Sequence, residues 1–293
     1  MRTGAQIHLR NSSHKPEKLL WLIKQGVPVV LLFCLWQFAS FVLGTDRLPN
    51  LHGTIALLVE SAFVDPLISA QEGTSRGFVP HVLATTRTIG VGLFVGCVTG
   101  LSGIVALTVF PRLRKLVEPI LEFARILPPL LLIPVTLVLV RNPSQMPVLV
   151  VAGYTGMILL VYGLSALRNV PETYLQLGSL LGASPTSNAL KVQLPAIVPE
   201  LVGGVRVAAA LGIGISVVAE YLAAPEGIGR VMKYALSYSS VSLIVVGIVW
   251  TILLALTTDT ILVLLTARLL RWTTRRSPWL LTTGTTLFRT RAT

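Results

Sequence analysis

Long apolar stretches constrain the fold of this sequence more than any other feature. Six stretches are each about long enough to cross a hydrocarbon core of about 30 Å as a helix. They are residues 26–43, 86–110, 123–140, 147–167, 201–223 and 241–265. In lipid the backbone must satisfy its own hydrogen bonds, which favours helices. The composition agrees, since 53% of residues are hydrophobic and only 12% are charged. We therefore predict an all-α polytopic membrane protein with six transmembrane helices.

The distribution of basic residues predicts the orientation in the membrane. A net charge of +12 would suit nucleic-acid binding, but the basic residues flank apolar stretches and form no stripe with aromatic residues between them. Under the positive-inside rule, both termini are cytoplasmic. The predicted cytoplasmic segments are 1–24, 111–122, 168–200 and 267–293, and the predicted outer segments are 45–80 and 225–240. A cleaved signal peptide is the competing interpretation of the first stretch, but no small-residue cleavage site follows Leu43. We expect an uncleaved signal anchor in an inner or plasma membrane.

The sequence has no arrangement of residues typical of a catalytic or metal site. Cys34 and Cys97 both fall within apolar stretches, where thiols usually act as small packing groups. The four histidines do not have the spacing of a metal site. We found no nucleophile motif, phosphate loop or carboxylate pair. The chain is predicted not to be an enzyme and to bind no cofactor or metal itself.

Glycines in the second apolar stretch predict close helix packing. Gly92, Gly96 and Gly100 are spaced four residues apart, with Gly103 beyond them. Small residues at this spacing let two helices approach closely in lipid. We interpret this ladder as a packing face.

Candidate residues of a translocation pathway are prolines and intramembrane charges. They are Pro128, Pro129, Pro134, Arg206 and Glu220. The prolines predict a kinked third helix facing the bundle interior, and either a structural kink or a pore-facing role fits them. Intramembrane charges mark function or pairing. Arg206 fits either contact with an anionic solute or snorkelling to headgroups, and Glu220 is expected to be hydrated near the outer interface. For Asp259 we favour pairing within the bundle or at a dimer seam over transport chemistry.

A polar segment, residues 172–199, separates two apolar stretches. Within it, residues 178–184 have the pattern of a helix, a turn of small residues and a second helix. A connection this long between spans usually has a function. Its composition fits a short helix docked into a partner's groove, and it fits equally well a helix lying on lipid.

The spacing within this segment resembles the cytoplasmic coupling loop of bacterial ABC importer permeases. The motif of that loop is Glu-Ala-Ala, three residues, Gly, nine residues, Ile, one residue, Leu-Pro. Gly182 is followed after nine residues by Val192, and then by Leu194 and Pro195 at the motif's spacing. The opening differs, because Gln176-Leu177-Gly178 stands where Glu-Ala-Ala is expected. The resemblance extends over residues 25–272 and is strongest to permeases of the nitrate/sulfonate/taurine type.

The resemblance implies a type I ABC importer (MetI-like) permease fold. It divides the chain into an N-terminal segment (1–24), a first helix with an outer amphipathic segment (25–80), a core domain (81–272) with its coupling loop at 168–200, and a tail (273–293). It assigns ATPase coupling to Gln176, Leu177, Gly178, Gly182, Ala183, Ser184, Val192, Leu194 and Pro195. The implied partners are a cytoplasmic ATP-binding subunit that holds ATP and Mg, a second permease copy and a solute-binding protein. The implied solute is a small anion such as sulfonate, taurine or nitrate, or a small heterocyclic precursor.

Three alternatives remain open at this point. The altered opening of the motif allows a heterodimer with a better-matched permease, although we favour a homodimer. A secondary transporter would need an ion-coupling carboxylate near broken helices, for which only Asp259 qualifies. A structural membrane scaffold would not require the spacing from Gly182 to Pro195.

Overall fold

The regular elements agree with the all-α prediction. The computed structural model describes the backbone of residues 15–269 and the side chains of residues 26–268, and every regular element within them is helical. The α-helices are α1 (Lys15–Leu43), α2 (Leu51–Glu60), α3 (Pro66–Glu72), α4 (Phe78–Val109), α5 (Pro111–Ala124), α6 (Leu132–Leu139), α7 (Met146–Arg168), α8 (Glu172–Leu180), α9 (Pro185–Asn188), α10 (Leu194–Leu222), α11 (Ile228–Ser237) and α12 (Val241–Leu269). Short 3-10 turns at Pro129–Leu131 and Pro143–Gln145 precede α6 and α7, and a π-helical segment, Ala189–Gln193, precedes α10. The predicted tail (273–293) and part of the N-terminal segment (1–24) lie outside the described residues.

The chain divides into two compact units, Met1–Val59 and Glu60–Thr293. In the first unit, the turn after α1 folds back along that helix. Trp36 Nε1 donates to the Pro49 carbonyl at 3.0 Å, and Ser40 Oγ donates to the Leu48 carbonyl at 2.8 Å. These bonds satisfy carbonyls of the turn and fix the start of α2 relative to the end of α1.

Helices α4 and α7 form the centre of the second unit, and the glycine ladder makes their close contact possible. A Cβ at Gly96 would lie 2.5 Å from Thr155 Cβ and 2.6 Å from the Ala152 carbonyl oxygen. A Cβ at Gly100 would lie 2.8 Å from Leu159 Cβ. The ladder is therefore a packing face, as predicted. Because a side chain at these glycines would push α4 and α7 apart, the glycines determine the distance between the two helices.

Helices α10, α11 and α12 pack around this central pair. Gly204 of α10 lies against Tyr162 of α7, where a Cβ would be 3.1 Å from the ring. A buried apolar cluster then joins four helices through Ile89, Ile213, Ile228 and Leu254. A second cluster, which includes Ile104, Leu159 and Leu201, joins α4, α7 and α10.

The third predicted span is broken, which corrects the expectation of one kinked helix over residues 123–140. Helix α5 ends at Ala124, and α6, which contains Pro134, begins only at Leu132, with a bend of 92° between α5 and the segment Pro129–Leu139. Pro128 is extended, with φ −58° and ψ 127°. Pro129 explains this, because a proline disfavours helical geometry in the residue before it. Among the described residues, five helices are long and apolar enough to cross a membrane, or six if the broken pair is one crossing.

Candidate functional site

The polar segment forms two short helical pieces joined by a tight turn. Helix α8 ends in a Schellman motif, in which Ala183 N donates to the Gly178 carbonyl and Gly182 N donates to the Ser179 carbonyl, each at 3.0 Å. Gly182 has a φ of +78°, a left-handed conformation that a side chain would strain. Ser184 then caps α9 by accepting from Ser187 N at 3.2 Å. These bonds give the predicted helix, turn and helix a defined geometry.

Asn188 holds the two pieces together. Its side chain is buried, and Nδ2 donates to the Leu175 carbonyl and to Ser179 Oγ, both at 3.2 Å. The amide lies directly on Gly178, where a Cβ would come within 2.9 Å of Asn188 Cγ and still closer to Oδ1. The sequence analysis missed Asn188, since nothing in the spacing of the segment singles it out.

The turn presents apolar side chains that nothing in the described structure covers. Leu180 is 84% exposed and Leu181 is 80% exposed, and Leu177 and Tyr174 are also more than half exposed. All four lie between the membrane-spanning helices α7 and α10. Exposed apolar patches of this kind mark interaction surfaces. We refer to Tyr174, Leu177, Leu180 and Leu181 as the α8 surface.

The structure separates the predicted coupling residues into two groups. Gln176, Leu177, Gly178, Gly182, Ala183 and Ser184 lie in α8 and its turn. Val192 and Leu194 are half-buried, and Leu194 packs against the core of the spanning helices. A proline disfavours helical geometry in the residue before it, yet Leu194 is helical, with φ −59° and ψ −49°. The helical backbone continues through the π-helical segment into α10.

Helix α5 is fastened to the beginning of this segment by charge. Arg168, the last residue of α7, bonds Glu118 of α5, with Nε at 2.8 Å from Oε1. Its Nη2 also contacts Glu118 and lies 3.4 Å from Glu122. Helix α5 therefore lies beside the start of the polar segment.

Arg206 and Asp259 form an intramembrane ion pair between α10 and α12. Arg206 Nη2 lies 2.8 Å from Asp259 Oδ1 and 3.1 Å from Oδ2, and Nε lies 3.0 Å from Oδ1. The predicted pairing of Asp259 within the bundle is confirmed. The Arg206 side chain is 40% exposed and the Asp259 side chain is 54% exposed, so the pair lies at the edge of the bundle.

Glu220 is fully buried, which corrects the expectation that it is hydrated near an interface. Its carboxylate accepts from Thr85 Oγ1 at 2.8 Å, Ser216 Oγ at 3.0 Å and Gly229 N at 3.2 Å. Thr85 also accepts from Ile228 N at 2.9 Å. The turn before α11 therefore folds back onto α10 and excludes water from Glu220.

His81 extends this polar network to α3. Its Nδ1 accepts from Gly227 N at 3.2 Å, and its Nε2 lies 3.2 Å from Glu72 Oε1. Burial raises the pKa of the Glu72 carboxyl above its usual value, and the nearby Arg76 opposes this shift. The network joins α3, α4, α10 and the turn before α11. The remaining predicted pathway residues, Pro128, Pro129 and Pro134, lie in or next to the broken span and not in this network.

Known proteins with similar sequences are ABC permeases. The nitrate import permease protein NrtB of Synechococcus elongatus is 26% identical over 222 residues, which cover 75% of this chain and 78% of that protein. The taurine transport system permease protein TauC of Escherichia coli is 27% identical and covers 66% of this chain and 70% of its own. The bicarbonate transport system permease protein CmpB of S. elongatus is 24% identical, with coverages of 74% and 78%.

The fold is also that of a solved importer. A structure of the MetNI methionine ABC transporter in an inward-facing conformation matches with a TM-score of 0.51 and 22% identity, covering 63% of this chain and 94% of that one. The family described as binding-protein-dependent transport system inner membrane component matches residues 92–272, which include α7, the polar segment and α10. The chain belongs to this family of transport-system membrane components.

Proposed function

We propose that this chain is one membrane-spanning half of a type I ABC importer whose α8 surface docks on a cytoplasmic ATP-binding subunit. ATP and Mg bind to that partner, and closure of its two copies moves the polar segment. A solute-binding protein delivers the solute on the opposite side. The observation that carries this proposal is the exposed α8 surface, held by the Gly182 turn and the Asn188 bonds outside the spans. A rigid apolar surface loses little conformational entropy when it docks.

The solute we propose is a small anion such as nitrate, a sulfonate or taurine. Support comes from the relatives, which are named for nitrate, taurine and bicarbonate transport. A secondary transporter finds less support, because Asp259, its candidate coupling carboxylate, is paired with Arg206. Uptake into proteoliposomes decides between the two: an importer needs ATP, whereas a secondary transporter needs a proton or sodium gradient.

Gly182→Arg tests the docking role of the turn. No atom lies within 4 Å of a Cβ at this position, so the new side chain projects outward into the proposed interface. We expect the variant to insert and fold, but to lose co-purifying ATPase and uptake. Burying an unpaired cation at the interface costs on the order of 3 kcal/mol, or about a hundredfold in affinity.

Two controls accompany this variant. Gly182→Asn keeps the side chain small and tolerates the left-handed conformation, so ATPase should still co-purify. Arg206→Gln, within the membrane, should reduce uptake less and leave ATPase assembly intact. Normal uptake and full ATPase content in Gly182→Arg would show that the turn is not the coupling element.

We propose that the α8 surface lies in the cytoplasm and α3 on the outside, with both termini cytoplasmic. Ala70→Cys in α3 and Thr186→Cys in α9 test this in a background with both native cysteines replaced. An impermeant thiol reagent should label the first and not the second in spheroplasts. Equal labelling of both would contradict this topology.

We further propose a homodimer. The altered opening of the coupling motif places Gly178 against Asn188 of the same chain, where a larger residue would overlap the Asn188 side chain. The change therefore fits a contact within this chain and does not require a different permease as partner. Native mass spectrometry of the complex should find one permease mass in two copies. A second, different permease mass would establish the heterodimer instead.

A further inference from the structure

A cavity of about 580 Å³ opens between the first turns of α4, the start of α7 and the turn after α10. The polar residues that line it are Arg87, Thr88, Asn142, Ser144, Gln145 and Glu226. The close contact of α4 with α7 borders it, since a Cβ at Gly92 would lie 3.2 Å from the carbonyl oxygen of Val148, which lines the cavity. One turn earlier on α4, Arg87 and Thr88 line the same cavity as the 3-10 turn Pro143–Gln145.

Arg87 is the cation that lines this cavity, and it makes no ion pair with a described residue. In α7 and α10, Arg168 and Arg206 each contact a carboxylate. Arg87 has no hydrogen bond or ion pair to any described residue. It follows Phe78 by nine residues, which places it about 14 Å along α4. Its side chain is exposed and makes no ion pair among the described residues, and such a cation attracts an anion.

The other polar groups of the lining are mainly neutral hydrogen-bond donors. Asn142 Oδ1 accepts from Ser144 N at 3.0 Å. The side-chain nitrogen of Asn142, the Ser144 hydroxyl and the side-chain amide of Gln145 remain available to a ligand. Guanidinium and neutral donors together suit the planar or tetrahedral oxygens of an oxyanion. Glu226 is the opposing charge, and its carboxylate lies 3.9 Å from Arg76. A lining with only one guanidinium and one carboxylate disfavours a divalent anion.

We propose that this cavity binds the oxygen-bearing group of a small monovalent anion, with Arg87 as its charge partner. The proposal rests on the proposed function, because it makes the anion the solute on its way to the pathway. A phospholipid headgroup presents the same chemistry, and the experiment distinguishes the two sources.

Thiol reactivity beside Arg87 measures the attraction for anions directly. Gln145→Cys is introduced into the full chain lacking both native cysteines, in nanodiscs of phosphatidylcholine. Rates of modification are compared for an anionic sulfonatoethyl and a cationic trimethylammonioethyl thiosulfonate. A unit charge within several ångströms should raise the ratio of anionic to cationic rate about tenfold or more, and Arg87→Gln should remove this excess.

Arg141→Gln is the matched control, because Arg141 carries the same charge next to the turn but does not line the cavity. Its effect on the ratio should be much smaller. An unchanged ratio in Arg87→Gln, or an equal change in both variants, would overturn the proposal.

A protection assay identifies the source of the anion. Nitrate, bicarbonate and taurine, the last of which presents a sulfonate group, are added separately, with chloride keeping the ionic strength constant. We expect at least one to slow modification of the cysteine, and Arg87→Gln to abolish this protection. Protection by none of them, or slowing only when phosphatidylglycerol is added to the nanodisc, would overturn the solute site. Because Gly182→Arg should leave these rates unchanged, failure of the cavity proposal and failure of the docking proposal are distinguishable.

Discussion

The contact between Gly178 and Asn188 predicts that these two positions depend on one another. In Gly178→Ala the new methyl group overlaps the Asn188 amide and displaces it. The displaced amide loses its bonds to the Leu175 carbonyl and Ser179 Oγ, each worth about 1 kcal/mol. Overpacking adds about 1–3 kcal/mol, and the better helix propensity of alanine returns about 1 kcal/mol. The net loss is therefore about 2–4 kcal/mol within α8 and α9.

Removing the amide should largely relieve this loss. Asn188→Ala alone costs about 1–2 kcal/mol, because Asn188 Oδ1 has no hydrogen-bond partner in the described structure and its removal is favourable. In the double variant the methyl group no longer meets the amide, and α8 keeps the propensity gain. The double variant should then be about 2–3 kcal/mol more stable than Gly178→Ala alone, a non-additive result.

Hydrogen exchange over residues 172–193 measures this effect in nanodiscs. Each 1.4 kcal/mol of local stability changes the protection by about tenfold. Gly178→Ala should exchange fastest, with the double variant between it and the parent. If Gly178→Ala exchanges like the parent, or if the two single losses simply add, the contact does not constrain the segment.

Two other contacts have measurable consequences. Thr85→Val removes a donor to Glu220 and the acceptor for Ile228 N, a loss of about 2 kcal/mol, so hydrogen exchange in α11 should accelerate about tenfold or more. The control is Thr86→Val, which should have little effect because the Thr86 hydroxyl bonds only within its own helix. Equal exchange in the two variants would refute the role of the network. Gly96→Leu drives a side chain into α7 and should prevent the recovery of folded protein in size-exclusion chromatography. In the control Gly90→Ala the new methyl group meets no atom within 4 Å, so this variant should be recovered normally. Normal recovery of Gly96→Leu would contradict the packing of α4 on α7.

The sequence predicted well those features that depend on local pattern. Apolar length located the spanning helices, and the four-residue glycine spacing located the packing face of α4 on α7. The left-handed turn at Gly182 followed from small residues at the end of a short helix. Each of these is determined by residues close in the chain, and this is why pattern alone sufficed.

The features that were missed depend on contacts between distant residues. Glu220 was expected to be hydrated because its position in the chain is near the end of a span. Its burial arises from Gly229, where a Cβ would overlap the α10 backbone at Val217, and from Thr85, which is 135 residues away in sequence. The contact of Asn188 with Gly178 is likewise invisible to a motif that counts spacing. Residue pattern cannot give such pairings, since it does not specify which helix faces meet.

The shortness of α6 has a consequence for how the chain enters the membrane during synthesis. With its preceding 3-10 turn it spans only about 18 Å, well short of a hydrocarbon core of about 30 Å. Its one fully buried residue, Ile133, packs in a cluster with Met146 and Val150 of α7 and with Ile215 of α10. On its own, this segment cannot remain stably across the bilayer. We therefore expect α6 to insert together with α7 as a hairpin, and to settle only after the ribosome has completed α10.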